Sequence, residues 1–291
     1  MKKFIAIFLF VTIFGYTLPI PERRPIFPPF ISGDSFRAYS DFAYDELDET
    51  LDPTTVTPGA VVFVQTNFLK AFFEKIHPEI PHKYILLTHN SDDPAPGIYK
   101  EQLDDEKIIA WFGENYDGFK HEKMHVLPMG TANFSWPNGN GEYIRKVIAK
   151  QTPKEHLAHM GLTIQTNYTE RWGVFRQFSQ APFVYRTIKK TFDKYLVDVA
   201  ASKFEIAPLG FAWDTYRLWE CLYVGTIPIV RSSCLDDLYE GLPILIIKDW
   251  KEVTEAFLND KYVEFSRKSF NMEKTTMEYW TRIIDTYKTK L

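Results

Sequence analysis

Residues 202–230, SKFEIAPLGFAWDTYRLWECLYVGTIPIV, constrain the fold more than any other stretch of this chain. They read as a strand, a Gly-containing turn, a short helix, a sharp stop and a second strand. The run 203–207 carries β-forming Phe and Ile, and Pro208, Leu209 and Gly210 end it before a helix that Asp214 can cap. Gly225 suits the left-handed residue after a helix, and Pro228 cannot continue one, so 227–230 opens the next strand. At about 100° per residue, Asp214, Arg217 and Glu220 share an arc of ~120°, with Leu218, Trp219 and Leu222 on the other side. That polar stripe falls just past a strand end, where open α/β sheets bind ligands. Free backbone N–H groups and the helix dipole favour an anion there. Arg217 would pair with phosphate, and Glu220 would accept from ribose or sugar hydroxyls. The same pattern also describes an ordinary solvated helix face.

The ordered string S-K-F…P-x-G…D-x-Y-R-L-W-E-C-L-Y-V-G-T-I-P-I-V resembles the donor-binding motif of exostosin-like glycosyltransferases. There, an Arg and a Glu on this helix precede a Gly-x-x-Pro turn. The resemblance implies an α/β fold of GT-B type, two Rossmann-like domains with parallel sheets facing across a cleft. It implies a nucleotide-sugar donor bound mainly by the C-terminal half, at Gly210, Asp214, Arg217 and Glu220, and an acceptor bound by the N-terminal half.

The chain opens with Met1, Lys2 and Lys3 and an apolar run over 4–16. This fits a secretory signal and is short for a membrane span. Residues 15–18 offer only a poor cleavage site, so an uncleaved membrane anchor over 1–20 stays open. The expected location is the secretory pathway or an exported compartment, periplasm or Golgi-type lumen. With 291 residues, 45% of them hydrophobic and 16% aromatic, one or two globular domains are expected. A net charge of −4 gives no basic stripe for nucleic acid. Cys221 and Cys234 are the only cysteines and are read as unpaired thiols. The seven histidines are scattered and no Asp-x-Asp triplet occurs, so neither a metal nor another cofactor is expected.

Residues 19–58 read as an irregular, Pro-rich and acidic lead-in with a short helix near 40–47. The apolar run 60–65 is a buried parallel strand, 68–76 a helix and 84–88 the next strand, together a βαβ unit. That strand runs into His89, Asn90, Ser91, Asp92 and Asp93, a polar strand end that is a site candidate and equally routine turn chemistry. The segments HPEI, YILLTHNSD, AWFGENYD and VLPMGTANFSWPNG resemble the acceptor half of the same family. Inversion at an anomeric carbon needs a base for the acceptor hydroxyl. Asp92 is the first choice, with Asp93 and Glu114 behind it and His89 as an alternative.

A third strand is expected at 126–129, and Trp136 is a candidate sugar platform. Residues 142–159 read as helix and 153–161 as the domain boundary, giving an acceptor-side domain at 21–157 and a donor-binding domain at 158–291. A strand over 162–165 is expected to end in Thr166 and Asn167, with Arg171 one helical turn on. In family terms this resembles the opening of the donor domain and puts a second cation near the diphosphate. A helix is expected over 184–200, Ser232 and Ser233 facing the donor, a strand over 242–247, and helices over 250–258 and 273–287. The sequence thus points to a glycosyltransferase moving a sugar from a nucleotide diphosphate, a UDP-sugar, to a glycan or glycoconjugate. The family resemblance implies inversion without a metal. A non-catalytic carbohydrate-binding protein on the same fold, and a sugar-nucleotide hydrolase or epimerase, remain alternatives.

Overall fold

The structure, a computed structural model, describes residues 24–188 and 190–289. The apolar run and the signal or anchor expected at 1–20 lie outside the described residues. The first sheet holds β1 (Phe42–Tyr44), β2 (Val61–Gln65), β3 (Tyr84–His89), β4 (Ile108–Gly113) and β5 (Met124–Val126), all parallel and in sequence order. Helix α1 (Gly33–Tyr39) precedes it, and α2 (Leu69–Ala71) runs into a π-helical turn, Phe72–Ile76. Alternation along the strands sorts the side chains onto two faces. Val62, Val64, Tyr84, Leu86 and Trp111 pack against the α2 region, and Phe63, Ile85, Leu87 and Phe112 face the rest of the molecule.

After α3 (Gly141–Lys150) the second sheet begins with β6 (His156–Met160), followed by α4 (Tyr168–Phe178), β7 (Val184–Arg186) and α5 (Phe192–Ala200). Then come β8 (Ser202–Ile206), α6 (Tyr216–Tyr223), β9 (Ile227–Arg231), α7 (Asp236–Tyr239), β10 (Leu245–Ile247), α8 (Glu255–Ser266) and α9 (Met277–Lys288). Its order is β10-β9-β8-β6-β7, again all parallel. The order reverses at β6, whose two neighbours are β7 and β8. In a sheet of this order the usual ligand position lies outside the carboxyl ends of the strands beside the reversal, β6 and β8. The α/β class with two parallel sheets is as expected, but only the C-terminal sheet has this switch point.

Loops leaving the carboxyl ends of the two sheets meet. Met129, just after β5, bonds Asp214, after β8, and Asn138 reaches Glu220 on α6. Cys234, after β9, donates to the Tyr116 carbonyl after β4. Helix α9 crosses back to the N-terminal sheet, burying Trp280 and Ile284 in the cluster that also holds Ile85, Phe112, Leu218 and Trp219. Among the described residues no helix is long and apolar enough to cross a membrane.

Several boundaries differ from expectation. The third strand is β4, and the run at 126–129 contributes only the end of β5. Residues 156–160 form β6 rather than helix and boundary, and 162–165 is no strand, since a 3-10 turn spans Ile164–Asn167. The helix expected over 184–200 is β7 followed by α5, and the one near 40–47 is the strand β1. The strands β1, β6 and β7 are short and polar or at an edge, and lack the periodicity that would have marked them. The segment 68–76 is split between α2 and a π turn, and 250–258 between a 3-10 turn and α8.

Gly130 adopts φ +70°, and a Cβ there would lie 2.3 Å from the Ile31 carbonyl oxygen. That carbonyl accepts from the Thr131 amide at 2.7 Å, which ties the β5 exit loop to the chain entering α1. Gly130→Ala should therefore lose about 2 kcal/mol or more of unfolding free energy in urea melts. An unchanged midpoint would show that this junction yields freely.

Candidate functional site

The crevice at the switch point of the second sheet is built from two loops. The exit of β6 carries Thr163, Thr166 and Asn167, and the exit of β8 carries Pro208, Leu209 and Gly210. The Asn167 side chain caps α4 by accepting from the Glu170 amide at 3.2 Å, while its Nδ2 donates to the Gly210 carbonyl at 2.9 Å. One residue thus ends the β6 loop, starts the helix and holds the two loops together. Arg171, one turn into α4, is 6% exposed. It donates from Nε to the Leu209 carbonyl at 2.9 Å and from Nη1 to the Thr163 carbonyl at 3.0 Å. Its Nη2 reaches the Pro208 carbonyl only at 3.5 Å.

Among the described residues Arg171 forms no ion pair with a carboxylate. A buried cation without a counter-charge is costly. Burial, followed by the positive charge of Arg217, accordingly lowers its pKa to about 10. Beside it, a Cβ on Gly210 would lie 3.2 Å from Arg171 Nη2 and 3.4 Å from Thr166 Cγ2. The missing side chain lets the β8 exit loop approach the guanidinium closely. The sequence-predicted Thr166, Asn167, Arg171 and Gly210 are therefore gathered at one place.

Arg217 lies behind this cluster and is already engaged. Its Nη1 donates to Glu205 Oε1 at 2.5 Å and to the Tyr195 hydroxyl at 3.3 Å, and its Nη2 donates to the Gly161 carbonyl at 2.6 Å. The guanidinium also stands 5.3 Å from the Tyr195 ring centre. Burial alone would lower its pKa, but the oxygens of Tyr195 and Glu205 outweigh burial and raise it. Glu205 is fully buried in β8 and also pairs with His159 Nδ1 at 2.5 Å, while His159 Nε2 bonds the Thr187 hydroxyl at 2.8 Å. Sequence reasoning missed Glu205, His159 and Tyr195. The available signal was a carboxylate inside an otherwise buried strand, which must have an equally buried partner.

Glu220, one turn beyond Arg217, is 3% exposed and accepts from Asn138 Nδ2 at 3.4 Å. Burial raises its pKa to about 7, against the opposing pull of Arg217, Asn138 and Tyr195. Asp214 is placed differently from the donor contact expected of it. Its side chain does not cap α6, whose cap is Thr215. It turns into the junction of the two halves, where Oδ2 accepts from the Met129 amide at 2.8 Å and Oδ1 from the Thr215 amide at 2.9 Å. Trp219 Nε1 lies 2.9 Å from both oxygens, and the Tyr239 hydroxyl 3.3 Å from Oδ1. Ser232 is exposed and bonds Asp236 Oδ2 at 2.6 Å, so its hydroxyl serves the start of α7.

On the N-terminal side, β3 ends in His89 and β4 runs through Gly113 into Glu114. Glu114 is 3% exposed; its Oε2 pairs with His89 Nδ1 at 2.7 Å and accepts from the Asn90 amide at 3.0 Å. Burial would lower the His89 pKa, but the Glu114 carboxylate outweighs it and raises it. Asn90 and Asn115, each just beyond a strand end, have φ +64° and +53°. Such left-handed residues concentrate at functional loops. Asp92 and Asp93 are exposed on the loop between them. The Asp92 pKa is raised by burial first, then by the charges of Glu114 and Asp93. Tyr216, at the start of α6, is raised by burial and then by Glu114, Asp92, Glu220 and Asp34. Carboxylates of both halves thus act on its hydroxyl. Trp136 is 59% exposed on the turn that leads to Asn138.

No protein-family model matches this chain, and no curated protein matches it. Solved structures with similar folds include the GtfA/B complex, at 11% identity and TM-score 0.39, covering 80% of this chain and 58% of that one. An α,α-trehalose-phosphate synthase (UDP-forming) from Burkholderia vietnamiensis is 9% identical with TM-score 0.41, covering 81% of this chain and 71% of its own. AviGT4, a glycosyltransferase involved in avilamycin A biosynthesis, is 10% identical with TM-score 0.37, covering 76% and 87%. This chain thus spans less than two thirds of the GtfA/B chain, and at these scores the comparisons assign no site residue.

The Glu220 carboxyl, raised from 4.5 to about 7, keeps its proton in the fold where the unfolded chain has lost it. Its ionisation costs nothing below about 4.5, grows costly from there to about 7, and is a constant penalty above. Glu220→Gln removes this titration. Over that window the stability of the variant relative to the parent should rise by an amount on the order of 3 kcal/mol, read from urea melts at each pH. A difference that does not change with pH would show that Glu220 ionises normally.

Proposed function

We propose that this chain is a glycosyltransferase that moves a sugar from a nucleotide diphosphate donor, a UDP-sugar, to a glycan or glycoconjugate acceptor. The observation that carries the reading is Arg171 at the switch point, a buried cation held by carbonyls and, among the described residues, without a carboxylate partner. A diphosphate supplies the missing negative charge, and a planar guanidinium recognises it through paired N–H groups. Arg217, fixed by Glu205, adds positive potential behind Arg171. Glu220, kept protonated up to about pH 7, can donate to as well as accept from a sugar or ribose hydroxyl.

In this reading the acceptor lies against the N-terminal loops, with Trp136 as its platform and Asp92 as base. Asp92 takes the proton of the acceptor hydroxyl as that oxygen attacks the anomeric carbon. The bond to the donor phosphate oxygen breaks, and the nucleotide diphosphate leaves with its electron pair toward Arg171. Single displacement inverts the anomeric centre and requires no metal. Glu114, committed to His89 and the Asn90 amide, and Asp93, further out, stand behind Asp92. Exostosin-like kinship, domains at 21–157 and 158–291, an N-terminal signal or anchor and an exported location belong to the same proposal.

Calorimetry with UDP, GDP, ADP and CMP should show one preferred diphosphate, and Arg171→Met should weaken it by about 1.5 to 3 kcal/mol, the scale of a charge-assisted contact. Binding unaffected by Arg171→Met would move the anion elsewhere, and no binding by any nucleotide would sink the reading. Asp92→Asn should leave nucleotide affinity intact and lower sugar transfer by about a hundredfold or more. Nucleotide binding without turnover in the parent protein would instead indicate a carbohydrate-binding protein that retains the fold.

A further inference from the structure

Between α3 and α5, away from the crevice, runs an open groove of about 500 Å³ floored by Tyr143, Val147 and Val197. Lys146 and Lys150 line one wall, and Lys190 and Lys194 the other. Lys146 and Lys150 stand one turn apart on α3, Lys190 precedes α5 and Lys194 lies in its first turn, so four ammonium groups line one strip. Two carboxylates share the groove: Asp198 is paired with Lys190, and Asp193, at the start of α5, bonds Thr191. Among the described residues Lys146, Lys150 and Lys194 form no ion pair, so the strip keeps a positive excess on a chain whose net charge is −4.

Two further observations bear on what covers this strip. Ile188, in the loop that leads into Lys190, is 87% exposed, an aliphatic side chain offered to solvent beside the lysines. The chain arriving from the N-terminus is laid against α3 itself. A Cβ on Gly141 would lie 2.5 Å from Phe27, and Arg145 donates to the Pro28 carbonyl. In the sequence, ten residues separate Phe27 from the apolar run at 4–16.

We propose that the α3–α5 groove is a membrane-docking face, in which the four lysines meet the phosphate groups of anionic phospholipids and Ile188 enters the headgroup layer. Cationic side chains near such a surface gain about 1 kcal/mol each, roughly fivefold in partitioning per lysine. The inference is independent of the transferase reading, since none of its residues belongs to the donor or acceptor site.

The test uses the full chain in vesicle co-sedimentation, with phosphatidylcholine alone and with phosphatidylcholine containing phosphatidylserine. The full chain should partition at least tenfold more strongly onto the anionic vesicles, and added salt should erase the preference. The triple variant Lys146→Gln, Lys150→Gln, Lys194→Gln should lose that preference while keeping its melting temperature and its partitioning onto neutral vesicles. Ile188→Ser alone should weaken binding to anionic vesicles with no change in salt dependence. Equal binding to both vesicle types overturns the proposal, as does a natively melting triple variant that keeps the anionic preference. Suppression of vesicle binding by millimolar inorganic phosphate at constant ionic strength would likewise overturn it, marking a small-anion pocket instead.

Discussion

One buried carboxylate stands at the junction of the two halves of this protein. Asp214 receives an amide from the N-terminal half at Met129, an indole from Trp219, a phenol from Tyr239 and the amide of its neighbour Thr215. Burial raises its pKa to about 6, against the lowering effect of those bonds. The alternative, four donors buried without acceptors, would cost more than the desolvation of one carboxylate. Because Asp214 sits between the exit of β8 and the start of α6, fixing it also fixes Thr215 and the first turn that carries Tyr216 and Arg217. The crevice and the junction of the halves therefore share one anchor.

The charges near the crevice have different tasks according to their partners. Arg217 is saturated by a carboxylate, a phenol and a carbonyl, so its position is set whether or not a ligand is present. Arg171 is held by carbonyls that orient it but leave its charge uncompensated. Across the cleft, Glu114 is neutralised by His89 while Asp92 remains on an exposed loop. On each side one charge is tied into the scaffold by an opposite charge and a second has no such partner among the described residues. The scaffold charges also act on the others, since Arg217 lowers the Arg171 pKa and Glu114 raises that of Asp92.

Much of this arrangement was legible in the sequence where apolar runs and stop signals coincide. The strands β2, β3, β8 and β9 and the turn after α6 lie where VVFVQ, YILLTH, SKFEI, IPIVR and Gly225 place them. Strand β6, HLAHM, was not legible, because its histidines read as polar until His159 is seen buried against Glu205, 46 residues away. The same limit applies at the site. The order strand, Thr166-Asn167, Arg171 pointed to the cation, although the strand itself lies earlier in the chain. The task of Asp214 depends on Met129, 85 residues distant, and local spacing cannot show such a partner.

Helix α9 carries a consequence for how the molecule is made. Its Trp280 and Ile284 fill the face of the first sheet that the α2 region leaves bare, and Tyr39 reaches across to Asp285 at 2.6 Å. Part of the covering of the first sheet is thus supplied by a helix whose Asp285 lies 246 residues beyond Tyr39. During synthesis that part of the face stays without its native covering until α9 has been made. Contacts of this sequence separation slow folding and leave apolar strands uncovered in the interval.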